Sequence, residues 1–194
     1  MDYEMGKYTK KKKEIVDIIV NLMDEDGLKN ITIKEICEAT NISIGAFYHY
    51  FKSKDSIADD MYCLMDEFFM VNKSTIKNHL STAEKVIDFV NHFGMYVEEW
   101  GFYANLFIMR SSIQNTTKKI YKSKREIYKI LEEIIQEGIE KGDFRVEIEP
   151  SELTTMIFVI IRGYLLEWIK REENYPVKEN MVKHATYLMN YLKA

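Results

Sequence analysis

The residues best equipped for chemistry crowd into one stretch, Thr32 to Asp55. It holds hydroxyls at two positions able to start a helix, Thr32 and Ser43, lysines at 34, 52 and 54, and the run Tyr48-His49-Tyr50. A hydroxyl beside the free N–H groups of a helix start, with lysine nearby, suits contact with phosphate oxygens. Neither this stretch nor the rest of the chain assembles a nucleophile motif, a phosphate loop or a carboxylate pair, so no enzyme is expected. His79, His92 and His184 lack paired ligand spacing, so neither a metal nor a cofactor is expected. Cys37 and Cys63 lie far apart within helical patterns and read as buried free thiols rather than a redox pair.

The elements that must position these residues are helical. The chain has 194 residues, 46% of them hydrophobic, with only 8 Gly and 2 Pro, which disfavours β-rich or loop-rich architectures and points to an all-α fold. No apolar run approaches the roughly 20 residues that span a bilayer, and Met1 to Lys13 is charged; a cytoplasmic protein with no membrane partner is expected. The net charge of -4 gives no global basic signature, but Lys10, Lys11, Lys12 and Lys13 form a basic run where the first helix begins. That helix carries Ile15, Ile18, Ile19, Leu22 and Met23 at helical spacing, with Gly27 placed to cap it. Thr32-Ile-Lys-Glu35 is a capping box opening a second helix to about Thr40, and Ser43 caps a third through Tyr48. Ser53 opens a long fourth. Two short helices around a tight turn match a helix-turn-helix, whose second helix enters the major groove.

The string Gly27, Thr32-Ile33, Ile36, Ala39, then Ile42 through Asp55 without a gap, resembles the amino-terminal signature of the tetracycline-repressor (TetR) family. The resemblance implies that Thr32, Ser43, Tyr48 and Lys54 contact phosphates, that His49 and Tyr50 flank them, and that Lys10 to Lys13 lie near the duplex as an arm. Sequence reading then falls to Ile44, Gly45 and Ala46, with Lys34 as a guanine reader; Ile44 and Ala46 suit thymine methyl groups. Ile44 packing against the first helix is an equally good reading. Phe47 and Phe51 share the inward face with Ile33, Ile36 and Ile42 and are expected in the core.

The fourth helix, from about 53 to 78, connects a DNA-binding domain at 1–55 to a helical ligand-binding and dimerisation domain at 56–194, about nine helices in all. Ser81-Thr-Ala-Glu84 is a second capping box, Gly101 marks a bend, a helix is expected over Asn115–Lys141 up to Gly142, Pro150-Ser151 opens another, and Val177–Leu192 is the last. The segment from Glu137 through Lys141-Gly142-Asp143-Phe144-Arg145 to Glu149-Pro150, followed by Gly163 and Trp168, weakly echoes the same family.

Operator recognition through two half-sites requires a two-fold dimer. Leu153, Ile157, Ile160, Tyr164 and Trp168, with Met181, Ala185, Leu188 and Leu192, are the expected interface; completing the subunit's own core is the competing reading. The resemblance further implies a repressor released from a palindromic operator by a small-molecule effector bound among the carboxy-terminal helices. Met65, Phe68, Phe93, Tyr96, Trp100, Tyr103, Phe107 and Met109 are the candidate lining for an apolar or aromatic ligand, with Glu98, Glu99 or Glu167 nearby to admit a cationic one. A constitutive DNA-organising protein of the same fold, without an effector, is the alternative.

Overall fold

The computed structural model describes residues 10–26, 31–79, 81–114, 125–144, 147–171 and 175–194. These form eight helices: α1 (Lys10–Asp26), α2 (Ile33–Thr40), α3 (Ile44–Tyr50), α4 (Ser56–Lys77), α5 (Thr82–Gln114), α6 (Glu126–Lys141), α7 (Pro150–Arg171) and α8 (Val177–Leu192). Among the described residues there is no strand, only an isolated bridge between Phe144 and Lys193. None of the described helices is long and apolar enough to cross a membrane. The expected cap at Gly27, the helical stretch expected over 115–124 and Arg145 lie outside the described residues.

Local chemistry sets most helix ends. Thr32 accepts from the Glu35 N–H while the Glu35 carboxylate accepts from the Thr32 N–H, a reciprocal box that satisfies two otherwise free donors of the helix start. Ser81 and Glu84 repeat it at the start of α5. Ser53 Oγ accepts from the Ser56 N–H, so α4 begins three residues later than its capping serine. Gly142 ends α6 in the left-handed region, at φ 75° and ψ 26°. The bend expected at Gly101 is present: φ 76° and ψ 172° interrupt α5, a backbone state open essentially to glycine alone, and the Asn105 amide donates to the Gly101 carbonyl at 2.7 Å. Counting the two arms of α5 separately gives nine helical segments among the described residues.

The chain divides into two compact units, residues 1–65 with 100–121 and residues 66–99 with 122–194. The second arm of α5 therefore groups with the amino-terminal helices. The first unit is cored by Ile15, Ile19, Met23, Ile36, Phe47, Phe51, Ile57 and Met61, all essentially sealed from solvent. In the second, Phe69 meets Phe89 at 4.7 Å between ring centroids, Phe89 meets Phe158 edge-on, and Tyr128 stacks on Phe158 at 4.0 Å. Here α5 approaches two helices too closely for any larger residue: a Cβ on Gly94 would lie 2.5 Å from Lys178, and one on Gly138 would lie 2.5 Å from Thr82.

The expected interface needs a correction at this level. Leu153, Ile157, Trp168, Met181, Ala185 and Leu192 are buried inside the single subunit, where they cement α7 to α8 and their neighbours. A side chain already sealed from water has no apolar surface left to lose to a partner. Ile160, Tyr164 and Leu188 remain half-buried.

Candidate nucleic-acid interface

The turn between α2 and α3 is built by Asn41, whose φ of 52° and ψ of 44° put it in the left-handed region that asparagine tolerates better than most residues. Its N–H and that of Ile42 return to carbonyls at the end of α2, Ile42 to Cys37 at 3.0 Å. The chain thus reverses in three residues, Asn41 to Ser43, and Ser43 at once caps α3, its Oγ accepting from the Ala46 N–H at 3.1 Å. Phe47 and Phe51, one turn apart with centroids at 5.3 Å, anchor α3 in the core.

With that face buried, the opposite face of α3 is turned outward. Ile44 and Tyr48, one turn apart, are each 55% exposed, so packing against α1 does not account for Ile44. Gly45 and His49 are exposed beside them, while Ala46 and Tyr50 are half-buried. Lys34 projects from α2, 79% exposed and loosely paired to Glu38 at 3.6 Å. Thr32 and Ser43 are exposed at the amino-terminal ends of α2 and α3, and Lys54 is half-buried after α3. The Thr32 hydroxyl is already engaged with the Glu35 carboxylate at 2.9 Å, which with the Thr32 N–H holds the Glu35 carboxyl below its ordinary value.

The basic arm needs revision. Lys12 does not project: its ammonium donates to Asp60 at 2.7 Å and lies 5.3 Å from the centroid of the Phe51 ring, pinning α1 to α4. Lys10, Lys11 and Lys13 are the exposed members of the run, Lys11 paired to Glu14 at 3.5 Å. Lysine composition alone could not separate the inward Lys12 from its neighbours; helical phase relative to Ile15, Val16 and Ile19 does.

The candidate effector residues fall in both units. Phe68, Phe93 and Tyr96 belong to the second, with the Phe68 ring 5.0 Å from that of Tyr96; Met65, Trp100, Tyr103, Phe107 and Met109 belong to the first. Glu98 is paired to Lys178 at 3.1 Å, and Glu167 to Arg171 at 3.2 Å. Both carboxylates are thus already engaged at the surface, and Glu99 is exposed.

A short helix-turn-helix whose second helix is anchored by two phenylalanines and turns isoleucine, glycine and tyrosine outward defines a DNA-binding transcriptional regulator. Comparison with known proteins narrows this. Residues 15–61 match the family described as bacterial regulatory proteins, tetR family, and residues 63–190 match the family described as YsiA-like protein, C-terminal region. The chain belongs to the TetR family of transcriptional regulators. It is 24% identical over 171 residues to the fatty acid metabolism regulator protein of Bacillus subtilis, spanning 84% of this chain and 86% of that one. It is 24% identical over 169 residues to the HTH-type transcriptional repressor KstR2 of Rhodococcus jostii, spanning 79% of each. Among solved structures, the transcriptional regulator FadR from Bacillus subtilis in complex with stearoyl-CoA superposes with a TM-score of 0.74 at 19% identity, covering 91% of this chain and 96% of that one.

Proposed function

We propose that the chain is a homodimeric repressor that leaves its operator when a long-chain acyl-CoA thioester binds the carboxy-terminal helices. The outward face of α3 carries the DNA-binding half of this reading. Ile44 and Ala46 take thymine methyl groups, Lys34 a guanine edge, and Thr32, Ser43, Tyr48, His49, Tyr50 and Lys54 follow the backbone. Contact with phosphate from Ser43 needs no rearrangement, because accepting from Ala46 leaves its hydroxyl proton to donate.

The effector class is supported by the relatives, one named for fatty acid metabolism and one solved with stearoyl-CoA, and by the apolar candidates of this chain. Phe68, Phe93 and Tyr96, with Phe69 and Phe89, are side chains among which an alkyl chain would lose water without leaving a charge unpaired. The effector must bind the released arrangement better than the operator-bound one, since equal affinity shifts nothing.

The dimer face is assigned to surface the subunit leaves uncovered. On α7, Met156, Val159, Gly163 and Leu166 recur at spacings of three and four and are all exposed, and Tyr187 and Tyr191 are exposed on α8. Ser151, Thr155, Met156, Val159, Ile160 and Leu188 line an open apolar groove along the same face. A Cβ on Gly163 would meet nothing within 4 Å, so this position leaves room for a second helix to cross closely.

The test is fluorescence anisotropy of the full chain on DNA flanking its own gene, against scrambled DNA, across a salt series, with stearoyl-CoA, free CoA and stearate titrated separately. Selective, salt-sensitive binding by two subunits, reversed by stearoyl-CoA alone, is the expected result. Release by none of the three would overturn the effector class, and release by free CoA would overturn the role given to the alkyl chain.

A further inference from the structure

The chain passes from the first compact unit to the second inside α4, between Met65 and Asp66. Asp66, the first residue on the far side, is a carboxylate whose side chain is only 8% exposed. It accepts from Arg125 Nε and Nη2 at 3.0 Å each and from the Ile127 N–H at 3.3 Å. Arg125 sits at the N-cap of α6 and offers that helix no side-chain cap of its own, so a carboxylate from α4 closes the end of α6. A fork-to-fork pair of this kind tolerates little displacement, because both hydrogen bonds share one plane.

Further along, α4 and α6 run side by side at a constant offset of 60 residues: Lys73 pairs with Glu133 at 2.7 Å and Lys77 with Glu137 at 2.5 Å. The offset is specified against its neighbours. Sliding α4 by one turn, about 5.4 Å, would bring Lys73 opposite Lys129 in one direction and Lys77 opposite Lys141 in the other. Either slide also pulls the buried Asp66 carboxylate away from the Arg125 fork. The outer rungs are half-exposed and individually weak, whereas removing one partner of the inner pair leaves an uncompensated buried ion.

We propose that Asp66 and Arg125 form a register lock, fixing α4 on α6 and, because α4 continues unbroken to Ser56, setting operator affinity from the unit that does not carry the helix-turn-helix. Both are positioning residues. The lock acts on specific binding, which needs the recognition helices held in one geometry, and not on the charge-driven attraction to any duplex.

The experiment compares full-length wild type with Asp66→Asn, Arg125→Lys and Glu133→Gln, on an operator selected from random-sequence DNA and on scrambled DNA, with helical content followed by circular dichroism at the assay temperature. Asp66→Asn and Arg125→Lys are expected to lose about tenfold or more in operator affinity. Their scrambled-DNA affinity stays within about twofold, and Glu133→Gln moves operator affinity by less than about twofold. Arg125→Lys keeps the charge and loses only the fork, so it decides the matter if Asp66→Asn fails to fold. Folded variants that bind operator like wild type, or that lose operator and scrambled DNA in parallel, would overturn the lock.

Discussion

At the scale of the residue, Gly45 is the most informative position on α3. Glycine inside a helix costs about 0.5–1 kcal/mol relative to alanine, and a helix of seven residues has little to spare. Nothing within the subunit requires it: a Cβ there would meet only Ser43 Oγ, at an ordinary 3.8 Å. On the proposed reading, the bare glycine lets the α3 backbone come close to the duplex. Gly45→Ala is expected to raise thermal stability by up to about 1 kcal/mol while weakening operator binding, opposite signs that a melt and an anisotropy titration read from one preparation. A variant both stabilised and fully competent for DNA would remove Gly45 from the interface. Tyr48→Ala, at an exposed position on the same face, is expected to weaken operator binding and leave the melt within about 0.5 kcal/mol of wild type.

At the scale of the element, the α4–α6 ladder makes the fold respond to pH at its acid end. Hydrogen bonding from Lys73, with Lys77 adding charge, holds the Glu133 carboxyl below its ordinary 4.5, and Lys77 and Lys85 do the same for Glu137 against the opposing effect of burial. Burial alone would lower Lys77, but its bonds and charge pairing with Glu137 and Glu133 leave it raised above 10.5. Groups depressed on folding stabilise fully above their unfolded value and lose that contribution as pH falls through the folded one; a raised lysine contributes below 10.5 and is lost as pH rises through its folded value. The stability difference between wild type and the double variant Glu133→Gln/Glu137→Gln, read from urea midpoints, should be flat near neutrality and shrink below pH 4.5. It amounts to about 0–1 kcal/mol for each of the partly solvated Lys73 and Lys77 pairs and is larger for Lys85–Glu137, whose lysine is buried. A difference that grew on acidification would place the stabilisation elsewhere. The same elements show why some of the molecule is legible in its sequence. Helix starts at Thr32, Ser43 and Ser81 depend on groups within three residues of one another, and the Gly101 bend on a single residue type, so both can be read locally. The Asp66–Arg125 pair joins residues 59 apart and leaves no local trace. The outward stripe of α7 is hidden for another reason: Leu153, Ile157 and Ile161 face in while Met156, Val159 and Leu166 face out, and periodicity cannot rank two apolar faces of one helix.

At the scale of the whole molecule, the proposed dimer face on α7 is distinct from the face that holds the subunit together. Val159 is 59% exposed and Tyr191 65%, so replacing them removes little from the subunit core, whereas Leu153 and Met181 are wholly enclosed. Val159→Arg should therefore leave the melting temperature of the dilute subunit near that of wild type, yet convert dimer to monomer in sedimentation, because it sets a guanidinium against its symmetry mate in the middle of an apolar stripe. Leu153→Ala should do the reverse, costing about 2–5 kcal/mol of subunit stability while the remaining folded protein still dimerises. Operator binding then distinguishes the two routes to failure. A monomer engages one half-site only, so Val159→Arg should bind a full operator no better than an isolated half-site, and the dependence of affinity on salt should fall with the number of phosphates contacted. If Val159→Arg stays dimeric and binds the full operator normally, the outward face of α7 is not where the subunits meet.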